Sequence, residues 1–146
     1  MHDDLPARLR TLYEDYISGA EAHFQNAKAS LANLMSGRGR YNDCPLDESF
    51  LQSVGELVKE AAEAPADSGA AAALLELMLF QSYVKREHPA YWVLVAAEGL
   101  AWPLPKLLDR PALEDIYARY RKKLRAAGAF PRQKDVLKEM KAALKT

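Results

Sequence analysis

The sequence predicts an all-α fold: a single-domain bundle of five or six helices, with a long N-terminal helix and a central apolar helix. Three observations predict it. Apolar residues recur at spacings of three and four along most of the chain, the period of helices that bury one face. Proline, glycine and short polar clusters interrupt that pattern wherever a helix has to stop,. The 146 residues, 49% apolar and 27% charged, are one domain's worth of ordinary globular chain, which excludes disordered and collagen-like classes.

Asp3 or Asp4 caps the first helix and Pro6 occupies its first turn,. Tyr13, Ile17, Ala20, Phe24, Ala27, Leu31 and Leu34 then succeed one another at spacings of 4, 3, 4, 3, 4, 3, with Leu5, Leu9, Leu12 and Tyr16 on a slightly rotated line. The pattern predicts a helix over about residues 4–35, roughly 45 Å long. Gly19 in its middle costs up to about 1 kcal/mol relative to Ala, so it implies a close approach by another helix, or a bend. Ser36 and Gly37 stop the helix, and residues 36–45 form a loop,.

The remaining chain, 46–146, forms the rest of the bundle. A second helix over 46–63 buries Leu46, Phe50, Val54, Leu57 and Ala61 and turns Glu56, Lys59, Glu60 and Glu63 to water. Residues 64–69 are a turn, with Asp67 or Ser68 capping the third helix,. Residues 70–84 carry 12 apolar side chains of 15 on every side, which places this third helix in the middle of the bundle. It should end at His88, because Pro89 disfavours helical backbone in the residue before it. A fourth helix over 89–102 packs against the third. Its valines and aromatics also permit a strand, but the proline at its start and the lack of a partner strand favour a helix. Pro103 and Pro105 break it. Asp109 caps a fifth helix with Leu113, Ile116, Tyr117, Tyr120 and Leu124 on one face, and Gly128 is suited to its C-terminal end,. The last helix covers about 131–144 and buries Val136, Leu137, Met140 and Leu144. Short connections favour antiparallel neighbours.

Net charge is zero, from 20 basic and 20 acidic residues, but the two signs are separated. Residues 116–146 hold 10 basic and 2 acidic residues, a local charge of +8 that residues 1–115 offset. Arg119, Arg121, Lys122, Lys123 and Arg125 end the fifth helix, and Lys134, Lys138, Lys141 and Lys145 make one stripe along the sixth, spaced 4, 3, 4. That stripe is about 16 Å long. Like charges at i,i+4 cost a few tenths of a kcal/mol each, so helix stability alone does not select it. A phosphate backbone or an acidic protein face matches such a row. The competing readings are a solvated face, helped by cations near helix C-termini, and docking on the acidic second helix of the same chain or of a neighbouring copy. Arg38 and Arg40, beside Tyr41 in the first loop, add two cations with an aromatic neighbour,. Arg132 and Gln133 are of the base-reading type at the start of the sixth helix, a thin signal for a helix-turn-helix,.

Glu76 and Glu98 interrupt helices that otherwise read as core. A buried carboxylate needs a partner, a metal or a raised pKa, so with His23 they are the candidate metal ligands. In the simpler reading each glutamate reaches solvent along a groove or pairs with an Arg or Lys, and His23 is a surface or satisfied residue. The Glu-x-x-His pair of di-iron bundles is missing from the sequence,. His88 reads as a helix-boundary residue that satisfies backbone N–H groups. Cys44 is the single cysteine, which excludes an intrachain disulfide and the zinc and CxxC spacings,. The sequence has no Gly-rich phosphate loop and no G-x-S-x-G elbow,. Among the aromatics Phe80, Tyr83, Tyr91, Trp92 and Trp102, the last is expected to be partly exposed, where it could anchor a partner.

These features predict a non-enzymatic helical interaction protein, such as an accessory subunit, adaptor or regulator, that binds a protein partner or a second copy of itself. Phosphate-backbone binding by the basic C-terminal helices, within a nucleoprotein complex, is the alternative reading. A metal or small-ligand site in the bundle core is the third. No cofactor is expected. No apolar run reaches the roughly 20 residues of a membrane span, and MHDDLPARLR is not a secretory signal,, so a cytoplasmic protein without membrane contact is expected.

Overall fold

A computed structural model describes residues 5–29, 45–63, 68–80, 84, 88 and 90–145. Among them are α1 (Leu5–Ala29), α2 (Leu46–Glu63), α3 (Ser68–Leu79), α4 (Tyr91–Gly99), a 3-10 turn (Pro105–Leu107), α5 (Arg110–Ala127) and α6 (Pro131–Lys145), with no strand. The fold is all-α, as the periodicity predicts. One continuous apolar core runs through all six α-helices. Among the described residues no helix is long and apolar enough to cross a membrane.

In α1 the buried line is Leu5, Leu9, Tyr13, Tyr16 and Ala20, while Leu12 and Ile17 are only partly covered. The two rotated lines of the sequence therefore merge into one, on the side facing α2 and α3. The stretch of the predicted first helix beyond residue 29, and the loop with Arg38, Arg40 and Cys44, lie outside the described residues.

Helix α2 has the predicted bounds. Phe50 stacks on Tyr16 with ring centroids 4.2 Å apart and meets Tyr13 edge-on at 5.2 Å. Leu46, expected in the core, is 40% exposed. It lies over Gly19 of α1, where an added Cβ would collide with Leu46 Cδ1. The expected close approach at Gly19 is thus found, made by a side-chain tip. Outside this contact, Arg8 of α1 forks onto both carboxylate oxygens of Glu60 at 2.9 Å.

Helix α3 is central as predicted. It touches α1, α2, α4, α5 and the 3-10 turn, with Ala71, Leu74, Leu75, Met78 and Leu79 buried. It ends at Leu79 and not at His88. The Lys123 ammonium donates to the Leu79 carbonyl, the acceptor that a continued helix would offer to the N–H of residue 83. A lysine from another helix thus satisfies the carbonyl at the C-terminal end of α3.

Residues 91–99 are helical, which resolves the strand alternative. Trp102, beyond the end of α4, is 54% exposed, as expected. Asp109 accepts the N–H of Ala112 at 3.1 Å and caps α5. Gly128 closes it with φ 84° and a 2.8 Å bond to the Leu124 carbonyl, the left-handed-side backbone that favours glycine.

Helices α4 and α6 meet closely at Gly99, where an added Cβ would stand 2.7 Å from Arg132 Cβ. That neighbour is attached to backbone, so α6 itself would have to move. Gly99→Ala is expected to cost about 1–2 kcal/mol by overpacking. Gly19→Ala should be near neutral, because a gain of up to about 1 kcal/mol in helix propensity offsets the turning aside of a flexible leucine tip. Urea denaturation of the two variants checks the contrast, and equal effects would refute it.

Candidate functional site

The basic residues of α5 divide by direction. Arg119 and Lys123, one turn apart, point to the flank occupied by α3 and α4. The Arg119 guanidinium holds both oxygens of Glu76, one of them at 3.1 Å, bonds Asp115 at 2.9 Å and lies 4.6 Å over the Phe80 ring. Glu76 is therefore a partly exposed carboxylate in an ion pair. The simpler expectation, a solvent-reaching carboxylate or one with an Arg or Lys partner, holds for Glu76.

Glu98 is buried, with 2% of its surface exposed. Its Oε1 accepts the Tyr120 hydroxyl at 2.8 Å and the Gln133 amide at 3.1 Å, and its Oε2 faces Lys123 Nζ at 3.4 Å. Gln133 Oε1 in turn accepts the Phe130 N–H at 3.0 Å. Desolvation pushes the Glu98 carboxyl above its ordinary value, although Lys123 and the two hydrogen-bond donors pull the other way. Burial, then the neighbouring carboxylate, pushes the Tyr120 hydroxyl up. The cluster joins α3, α4, α5 and α6 at one point. Each polar group in it has a partner, the condition under which buried polar networks are tolerated.

Among the described residues no group of three or more His, Cys, Asp or Glu is placed to hold a metal. His23, Glu76 and Glu98 are not brought together, and both glutamates are matched to cations of α5. His88 accepts the Ala90 N–H through Nδ1 at 3.0 Å, the helix-boundary role expected of it, while its Nε2 lies 3.3 Å from Glu21. A cleft of about 650 Å³ runs along the α1–α2 seam between Leu12 and Leu57, rimmed by Arg8, Glu56 and Glu60.

The other cations face outward. Arg121, Lys122 and Arg125 of α5 and Lys134, Lys138, Lys141 and Lys145 of α6 are all exposed. Among the described residues none of the seven pairs with a carboxylate. At 100° per residue the four lysines of α6 fall within an arc of about 60°. On acidic α2, Glu60 pairs with Arg8 of α1 and with none of these cations. Gln133 is corrected as a base reader, since it is 4% exposed and committed to Glu98. Sequence reasoning missed its structural part, although its spacing from Val136 and Met140 puts it on the apolar line of α6.

Comparison with family models, curated proteins and solved structures finds no match. The function is read from the chain's own residues.

Proposed function

We propose that this protein is a non-enzymatic helical binding module whose α5–α6 hairpin engages the phosphate backbone of a nucleic acid. One observation carries the reading: the seven outward cations lack carboxylate partners among the described residues, while the two cations the fold needs, Arg119 and Lys123, are matched. Folding does not use the seven, and their mutual repulsion is relieved when they bind a polyanion, which releases its counterions to solvent. A protein partner fits less well, because protein interfaces are depleted in lysine and organised around an apolar centre, and the lysine row of α6 has no apolar residue within it. Contacts of this kind fix position on the backbone and read no sequence. Self-association through α1 has less to drive it in the described part, where the apolar line is already buried against α2 and α3.

The test is a gel-shift titration with short DNA and RNA at two salt concentrations. Binding is expected at low salt, with affinity falling on the order of 10³-fold between about 50 and 200 mM. No shift at low salt would overturn the reading.

A further inference from the structure

We infer that the strand held by this face is single-stranded, with bases stacked on Trp92 and Phe130 at one end of the lysine row. The inference rests on the phosphate-backbone reading above and adds the class of nucleic acid. Trp92, in the first turn of α4, is 48% exposed, and Phe130, in the α5–α6 connection, is 37% exposed. Their rings meet edge to face with centroids 5.1 Å apart, and Trp92 also meets Tyr91 edge-on at 5.3 Å, so two partly exposed aromatic side chains stand side by side.

Their placement ties them to the lysines. The Phe130 carbonyl accepts the N–H of Lys134 at 3.0 Å in the helical pattern, so Phe130 occupies the position one turn ahead of Lys134. Phe130 thus immediately precedes α6, and Lys134, Lys138, Lys141 and Lys145 follow at spacings of 4, 3 and 4 along one side of that helix,. The bond from the Phe130 N–H to Gln133, which is itself fixed by Glu98, holds this residue in place from the core side. Arg132, also exposed, has its stem against Gly99 of α4. A cationic track that ends on an aromatic platform combines the two elements by which single strands are bound: charge tracks the backbone, and any base supplies a face to stack. A duplex keeps its base faces inside the stack and can use only the lysines.

The experiment is fluorescence anisotropy with a labelled oligo-dT and a duplex of the same length, applied to the full chain and to Trp92→Ala, Phe130→Ala and Trp92→Phe. Oligo-dT is expected to bind more tightly than the duplex, although its charge density is lower. Each alanine variant should lose about tenfold on oligo-dT, the scale of one base–aromatic stack. Duplex binding and the salt slope should stay as in the parent, because no charge is removed. Trp92→Phe, which keeps a ring, should retain most of the affinity. Equal losses on both ligands, or no loss on either, would overturn the single-strand inference and leave phosphate binding standing. Failure of both ligands to bind at low salt would overturn the phosphate reading itself.

Discussion

Lys123→Met is expected to destabilise the fold by about 3 kcal/mol near neutral pH, which for a chain of this size lowers Tm by roughly 10 °C. Methionine keeps the unbranched stem packed but removes the ammonium facing Glu98 Oε2 and the Leu79 carbonyl. Losing one member of a buried pair leaves the other charge without its counter-ion, a cost of about 3–5 kcal/mol. The lower end applies here because Lys123 keeps 32% of its side chain in water and Glu98 retains its bonds from Tyr120 and Gln133. Adding Glu98→Gln to the variant should recover more than half of the loss, since the amide is uncharged and its oxygen still accepts both donors.

The pH dependence has a definite sign. The folded Glu98 carboxyl lies above the ordinary 4.5, so the folded chain holds this proton more tightly than the unfolded chain does. Its contribution to stability is therefore full at acid pH and is lost as pH rises from about 4.5 through the folded value. Removing the Lys123 ammonium takes away the strongest influence holding that value down, so the deficit of Lys123→Met should shrink as pH falls toward 4.5. Urea denaturation across this range measures it. A deficit under about 1 kcal/mol at neutral pH, or one that grows in acid, would contradict the clamp.

Reversing Lys134, Lys138 and Lys141 together to Glu should weaken nucleic-acid binding by two to three orders of magnitude and lower the slope of log affinity against log salt by about 3. In the proposed complex each lysine would neutralise one phosphate and release its counterion, so the three effects would add in the slope. The fold should tolerate the change. The side chains are exposed and have no carboxylate partner among the described residues, so helicity by circular dichroism and Tm should stay close to the parent. A variant that stays folded and binds with the parent's affinity and slope would show that the row does not carry the contact.

Much of this architecture is legible in the sequence because its causes are local. The bounds of α2 come from an apolar spacing and a polar break, the ends of α5 from Asp109 and Gly128, and the central place of α3 from apolar residues on every side. Such signals act over three or four residues, the range of a helical turn. The position of the basic face is legible in the same way, since the 4, 3, 4 spacing of the α6 lysines places them on one side of a helix whatever it packs against.

Which cations belong to that face is a tertiary decision. Arg119 and Arg121 are the same residue type two positions apart, yet Arg119 is matched to Glu76 across 43 residues while Arg121 faces water. Gln133 meets Glu98 across 35 residues, and Lys123 of α5 meets the last carbonyl of α3 across 44. None of these pairings has a local cause. By itself the sequence determined the helices, their apolar lines and a row of lysines. The packing of α3, α4 and α6 around α5 decided which charges are held by the fold and which stay exposed to water, because a buried carboxylate must be matched by whatever donors the neighbouring helices bring to it.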